Sequence, residues 1–332
     1  CLPQYGIGRM VGAPAEMLGV VDACLAQPLL TPNDALVTGY DFLIDQANVI
    51  TDTLLSQGVT LISQTNFINN SWSGQLFSDT LFTMPTAPDL ISLNSHFEHY
   101  RFFPNDPQDV FATQIVAGTD YSGTIVFSVG CHSGLNIPDG STANDRDWPQ
   151  AFGAQQASFL GNTGYGYGDS DLVADAEALM ANYVNALGNW SEGPQTVGQA
   201  LRMAKQQYYN ELAGGTFSNY DEKVLEEMTL YGLPMLRINM TITTTNSLWG
   251  KSAIDETAVQ RVEGSSGLTA TPLSFDGLTY DQHTILDSSN NLLGNYYTLS
   301  GEDGVFVAGG KPIQPLTSVG VSQPGNVAHG AL

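Results

Sequence analysis

Short apolar runs alternate with longer stretches of helical periodicity through the first 240 residues, and few folds accommodate that order. Ala35 to Thr38, Val59 to Ile62, Leu90 to Leu93, Thr124 to Val129 and Ser158 to Leu160 are compact and rich in aliphatic and aromatic side chains. Between and after them, residues 45–58, 171–187 and 195–212 repeat apolar side chains at helix spacing; Val197, Ala200, Leu201 and Ala204 fall on one face. Gly58 is a suitable stop for the first of these helices. Strands that are apolar throughout, separated by helices, predict an α/β fold whose largely parallel sheet is flanked by helices.

The ends of the chain read differently. Residues 1–34 hold the apolar stretch Tyr5–Val11 and one helix, with Pro14 at its start, Glu16 in its first turn and Met17, Val20, Val21, Cys24 and Leu25 at helix spacing. This is expected to be a lead segment, the end of an upstream subdomain. The first residue is Cys1 rather than Met, which reads as a processed or truncated end. After about residue 240 helical periodicity stops and Thr, Ser, Asn and Gly dominate around short runs such as Tyr296–Leu299 and Val305–Val307. The expected organisation is a lead segment at 1–34, an α/β domain at 35–240 and a small β-rich, sandwich-like domain at 241–332.

Charge removes whole classes of function. The chain carries 33 acidic against 10 basic residues, a formal net charge of -23. Nucleic-acid binding needs a basic face, and anionic lipid would repel such a chain. No apolar run reaches the length of a membrane span. An acidic, lysine-poor composition suits a secreted or cell-surface protein or a high-salt setting. Three cysteines do not make a disulfide framework. A Cys1–Cys24 bridge would leave Cys131 as either a buried small hydrophobe or a reactive thiol.

In open α/β sheets, sites gather at the carboxyl ends of the strands. Two predicted strands end in reactive residues, one at His96 and the other at Cys131, 35 positions on. A thiolate attacks a carbonyl carbon without a strong base, and an imidazole near neutral pH protonates the departing amine. The N–H groups at Cys131 and beside His96 are candidate oxyanion donors. Gly130, Ser133 and Gly134 permit close approach of backbone to substrate. Against this stands the plain alternative of a buried cysteine and a satisfied histidine. His99 and His132 open a third reading, a zinc cluster, although the spacing fits no helical H-E-x-x-H or C-x-x-C pattern. Gly130-Cys131-His132-Ser133-Gly134 fails as a nucleophile elbow, because its middle position is His132. Gly164 to Asp171 reads either as a turn with Asp169 or Ser170 capping the next helix, or as a pocket wall in which Gly166 admits a side chain and Asp169 or Asp171 meets a basic one.

The stretches Ile91-Ser92-Leu93-Asn94-Ser95-His96 and Ile125-Val126-Phe127-Ser128-Val129-Gly130-Cys131 together resemble the gingipain-like cysteine peptidases of the caspase–haemoglobinase fold group. Gly8-Arg9-Met10 with Pro14-Ala15-Glu16, Thr196-Val197-Gly198-Gln199-Ala200 and Leu230-Tyr231-Gly232-Leu233-Pro234 add to the resemblance, which covers roughly residues 1–240. It implies an endopeptidase acting on protein or peptide substrates, with Cys131 as nucleophile, His96 as its dyad partner and cleavage after Arg or Lys. Phe97 stands where the family commonly has Gly, so His99 is kept as a second candidate and Phe97 as a residue of the substrate site. The chemistry requires no cofactor. The resemblance implies structural calcium, for which Asp139 to Asp147 is a candidate stretch, though a solvated acidic loop without EF-hand spacing is the simpler reading. The alternative to an enzyme is a catalytically inactive structural or adhesive module on the same scaffold.

Overall fold

A computed structural model describes residues 2–62, 64–105, 108–116, 118–137, 146–188, 193–212 and 217–240, and the strands Thr279–Leu286, Leu292–Ser300, Val305–Phe306 and Gln314–Pro315. Two compact units divide the chain, residues 1–248 and 249–332. In the second, Thr279–Leu286 pairs antiparallel with Leu292–Ser300, and Val305–Phe306 with Gln314–Pro315.

The first unit is built on a six-stranded sheet. Its strands are β1 (Asp34–Val37), β2 (Thr60–Leu61), β3 (Leu90–Ser92), then β7 (Ile125–Phe127), β8 (Ser158–Asn162) and β9 (Met228–Tyr231). Strands β4 (His96–Glu98), β5 (Arg101–Phe103) and β6 (Val110–Phe111) form a separate antiparallel meander. The order in the large sheet is β9-β8-β7-β3-β1-β2. Four of the five pairings are parallel, and β9 alone runs antiparallel to β8. The parallel sheet expected from the sequence is therefore closed on one edge by a reversed strand.

Alternation along each strand sends side chains to two cores. Ala35, Val37, Leu90, Ile125, Phe127, Leu160 and Leu230 face one cluster. It is covered by α2 (Ile44–Ser56), α4 (Asp175–Ala186) and α5 (Val197–Glu211). Leu36, Ile91, Val126, Phe159 and Tyr231 face the other, where Trp72, Phe77, Phe102, Trp148 and Phe152 make a continuous aromatic layer. Trp148 and Phe152 belong to α3 (Trp148–Ala154), whose neighbour α1 is Pro14–Ala26. α6 (Asn219–Glu227) leads into β9.

The short motifs at 8–10, 196–200 and 230–234, weak singly, meet in space. Arg9 bridges to Tyr231, and its N–H donates to the Leu230 carbonyl at 2.9 Å. A Cβ on Gly6 would lie 2.4 Å from the Gly198 backbone, and one on Gly8 would lie 2.2 Å from the Gly232 oxygen. Glycine is needed where main chains come this close. Residues 6–9 thus pack against β9 and the start of α5.

Helix α2 ends as expected, with Gly58 at φ 83. Helix α4 begins at Asp175, four residues later than periodicity predicted. The reason is local: the Asp169 carboxylate accepts from the N–H groups of Asp171 (2.8 Å) and Leu172 (3.2 Å), which holds those residues in a turn. Neither Asp169 nor Ser170 caps the helix; Glu177 folds back to accept from the Ala174 N–H at 3.4 Å.

Phe159 is fully buried and stacks on Phe152 at 5.5 Å between ring centres. Phe159→Ala should lower unfolding free energy by about 3–5 kcal/mol, read by denaturant titration, because the aromatic layer cannot close over the void. A loss under about 1 kcal/mol would show that this layer is loosely packed.

Candidate active site

The site forms where β1, β3 and β7 end side by side on the carboxyl edge of the sheet. Ser92 and Phe127 are paired in register, and His96 and Cys131 each lie four residues beyond that pair. The chains that follow stay in contact. Phe97 is buried against Phe102 and Trp148, at ring separations of 5.0 and 5.6 Å. Its ring also lies on Gly130, where a Cβ would come within 2.3 Å of it. His96 and Cys131 are therefore each one residue away from a direct contact between their strands. Phe97, expected within the substrate site, has its side chain in the aromatic core instead, and Gly130 is small because that ring fills the space.

The turn carrying Cys131 is held from beneath. The Gly130 N–H donates to Ser128 Oγ at 3.0 Å, and Asn162 Nδ2 donates to the Val129 carbonyl at 2.9 Å. His132 follows in the left-handed region at φ 58, and its N–H donates to the Gly164 carbonyl at 2.6 Å. Cys131 is partly exposed, and its Sγ lies 3.8 Å from the Gly166 carbonyl. Gly166 has no room for a side chain, since a Cβ would meet the Val129 oxygen at 1.8 Å. Among the described residues the Cys131 N–H has no acceptor, which leaves it free for an oxyanion.

His96 sits in a ring of aromatics made by Tyr40, Phe42 and Phe103, with centroids 5.8, 5.9 and 6.2 Å away. Its Nε2 is 3.1 Å from Asp41 Oδ2. A carboxylate only accepts, so in the neutral ring Nε2 carries the hydrogen and Nδ1 the lone pair. Asp41 holds φ 57, a conformation that Asp tolerates, and its N–H donates to Asn70 Oδ1 at 2.8 Å. Buried Asn94 ties the two strand ends together, donating from Nδ2 to the Thr38 carbonyl at 2.9 Å and to Ser92 Oγ at 2.8 Å. The histidine and aspartate side chains are 40% and 57% exposed. A pair that open adds about 1 kcal/mol or less to stability, so its use is orientation.

Asp41 did not stand out in the sequence. Its signal was present: it follows the strand at 35–38 and so ends a neighbour of the His96 strand on the same edge.

His99 occupies the turn between β4 and β5, opposite the end that holds His96. Three residues of strand put it about 10 Å further along. Its ring lies against Tyr100 at 4.9 Å, and its carbonyl accepts from the Trp148 N–H. His132 turns to Tyr165, 4.7 Å away. Among the described residues no group of three or more His, Cys, Asp or Glu side chains is arranged to hold a metal ion. Of the acidic stretch at 139–147, residues 139–145 lie outside those described. Asp147 is buried and caps α3 by accepting from the Gln150 N–H at 2.9 Å. Cys24 is a free thiol that burial pushes up from its usual pKa, while Cys1 lies outside the described residues.

Gly164 to Asp171 forms the wall beside Cys131. The Gly166 carbonyl flanks the sulfur, exposed Tyr165 lies against His132, and Gly168 backs onto Phe42, which also touches His96. Beneath the wall lies Glu177, fully buried, whose Oε2 accepts from the Asp169 N–H at 3.1 Å. Burial, with the charges of Asp45 and Asp169, raises its pKa from 4.5 to about 7. The carboxylate of Asp169 is turned into its own loop, and Asp171 is exposed.

The folded chain keeps the Glu177 proton over a range in which the unfolded chain has lost it. Stability should therefore fall as pH rises from about 4.5 to about 7. Glu177→Gln, which retains an acceptor, should flatten that fall in thermal melts; an unchanged slope would place the titration elsewhere.

Among the described residues no helix is long and apolar enough to cross a membrane. Comparison with curated proteins yields no match. A solved structure described as "Structure of Protease" is similar in fold, with a TM-score of 0.51 at 11% sequence identity, over 69% of this chain. The chain spans 55% of that protein's length. Residues 86–239, which contain His96, Cys131 and the wall beside them, match the family model for Peptidase family C25, the gingipain family, and the resemblance seen in the sequence is borne out over that stretch.

Proposed function

We propose that the chain is a cysteine endopeptidase in which Cys131 is the nucleophile, His96 the acid and base, and Asp41 the residue that positions His96. The observation that carries this reading is the Phe97–Gly130 contact, which keeps the two reactive strand ends adjacent while Cys131 stays accessible. The match to a peptidase family supports it independently.

In this reading the thiol gives its proton to Nδ1 of His96, and sulfur attacks the carbonyl carbon of the scissile bond. The Cys131 N–H receives the developing oxyanion. Imidazolium then protonates the leaving amine, and a water deprotonated by His96 hydrolyses the thioester. Asp41 keeps the imidazole in the tautomer that can accept the first proton. The sheet order supports a caspase–haemoglobinase-like architecture for residues 35–240, with 1–34 leading in and 241–332 forming a β-rich domain. Secretion or surface display, and structural calcium, belong to the same reading; the acidic composition supports them.

Cleavage after Arg or Lys is the finer part of the proposal. Asp45 and Asp169 lie close enough to act on Glu177, beside the loop that touches Cys131. Their field attracts a cationic side chain.

Cys131→Ala should reduce peptide hydrolysis by at least about a thousandfold, and His96→Ala similarly, without additivity in the double variant. Hydrolysis that persists unchanged in Cys131→Ala ends the proposal. Asp41→Asn should lower kcat/KM about ten- to a hundredfold with little change in melting temperature, since it disturbs the proton acceptor and not the core. On a panel of peptides differing only before the scissile bond, Arg and Lys should be preferred; a preference for acidic residues would overturn the basic specificity alone.

A further inference from the structure

A cavity away from the Cys131 edge remains without a role. Helix α5 presents Gly198, Leu201, Arg202 and Lys205 at i, i+3, i+4 and i+7, a single face. That face, strand β9 and the segment Pro3–Ile7 line a half-open space of about 210 Å3. Its walls are mixed, with Pro3, Ile7, Leu201, Met228 and Leu230 supplying the apolar part. The walls are built in place: Gly6 lies on the Gly198 backbone, and Gln206 Nε2 donates to the Pro3 carbonyl at 3.3 Å.

Three of the chain's 10 basic residues, Arg9, Arg202 and Lys205, line this space, and the Arg9 side chain is hydrogen-bonded to Tyr231. The ion pairs among the described residues use His96, Arg101 and Arg146, and leave Arg202 and Lys205 out. Glu226 is the acidic residue on the lining, and its charge favours the ammonium form of Lys205 without an ion pair. Lys205 Nζ donates to the Met228 carbonyl at 2.8 Å. An ammonium has three donors, so that bond leaves two. Burial lowers the Lys205 pKa to about 8. A partly buried cation short of acceptors is costly, and an anion is the partner that relieves it.

We propose that this cavity binds a small carboxylate on an apolar chain, its charge held by Arg202 and Lys205 and its body by Leu201, Met228 and Leu230. Size limits the ligand. About 210 Å3, against roughly 30 Å3 for one water in the liquid, holds a short organic acid and not a folded peptide. The apolar part of the lining favours a carboxylate with a short apolar body over a fully hydrophilic anion such as inorganic phosphate.

The test is protection of Lys205 from trinitrobenzenesulfonate, read by mass spectrometry of the digested wild-type chain, with exposed Lys223 as internal reference. Butyrate should slow modification of Lys205 saturably, by about tenfold at a concentration roughly ten times its dissociation constant. It should leave Lys223 unaffected. Butyramide, the same shape without charge, should protect little. Arg202→Gln should keep Lys205 reactive and weaken protection by butyrate. Equal protection by butyrate and butyramide, equal protection by inorganic phosphate, or none by butyrate would each overturn the proposal. Because the readout is lysine modification, it stands whether or not the chain hydrolyses peptides.

Discussion

The contact of the Phe97 ring with the Gly130 backbone holds the candidate site together. Two parallel strands, paired through Ser92 and Phe127, would diverge beyond their last pairing if nothing joined the chains that follow. Phe97 fills that space and anchors it to Trp148 and Phe102. Each buried aromatic contributes about 1.5–3 kcal/mol. The Asp41–His96 pair, open to water, contributes far less. Packing therefore sets where the two strand ends lie, and polar contacts set how their side chains are turned. Phe97 departs from the glycine common at this place in the resembled family, and its partner across the interface is itself a glycine, so a bulky ring is accommodated.

Electrostatics acts on a longer scale. A chain with a net charge of -23 repels itself, and its acidic groups near the site add to a field that draws cations. Glu177 shows the local consequence, since burial beside other carboxylates lets it hold a proton near neutral pH. The same side chain supports the loop that flanks Cys131, through the Asp169 N–H. The integrity of that wall thus depends on one buried acid.

Much of the sheet was legible because buried parallel strands need continuous apolar runs, and 35–38, 90–93, 124–129 and 158–160 have them. The reversed direction of β9 was not, since pairing direction leaves no trace in a four-residue strand. The meander that carries His96 and Phe97 on its first strand has strands of two and three residues, too short for a period to emerge. Cys131 and His96 could be found because both directly follow strongly apolar strands. Asp41 has the same placement, yet an aspartate after a strand is so ordinary in a turn that its chemistry shows only when His96 is found 3.1 Å away. The late start of α4 depends on a side chain, Asp169, that competes with the helix for backbone N–H groups, and periodicity does not register such competition.

The central claim is that Cys131 is an activated nucleophile and Cys24 an ordinary thiol. Reaction of the purified chain with a peptidyl acyloxymethyl ketone, followed by mass spectrometry of the cysteine-containing fragments, tests it most directly. The account predicts a covalent adduct on Cys131, none on Cys24, and loss of the adduct in His96→Ala. Adducts on both cysteines alike, or on neither in a folded chain, would contradict it.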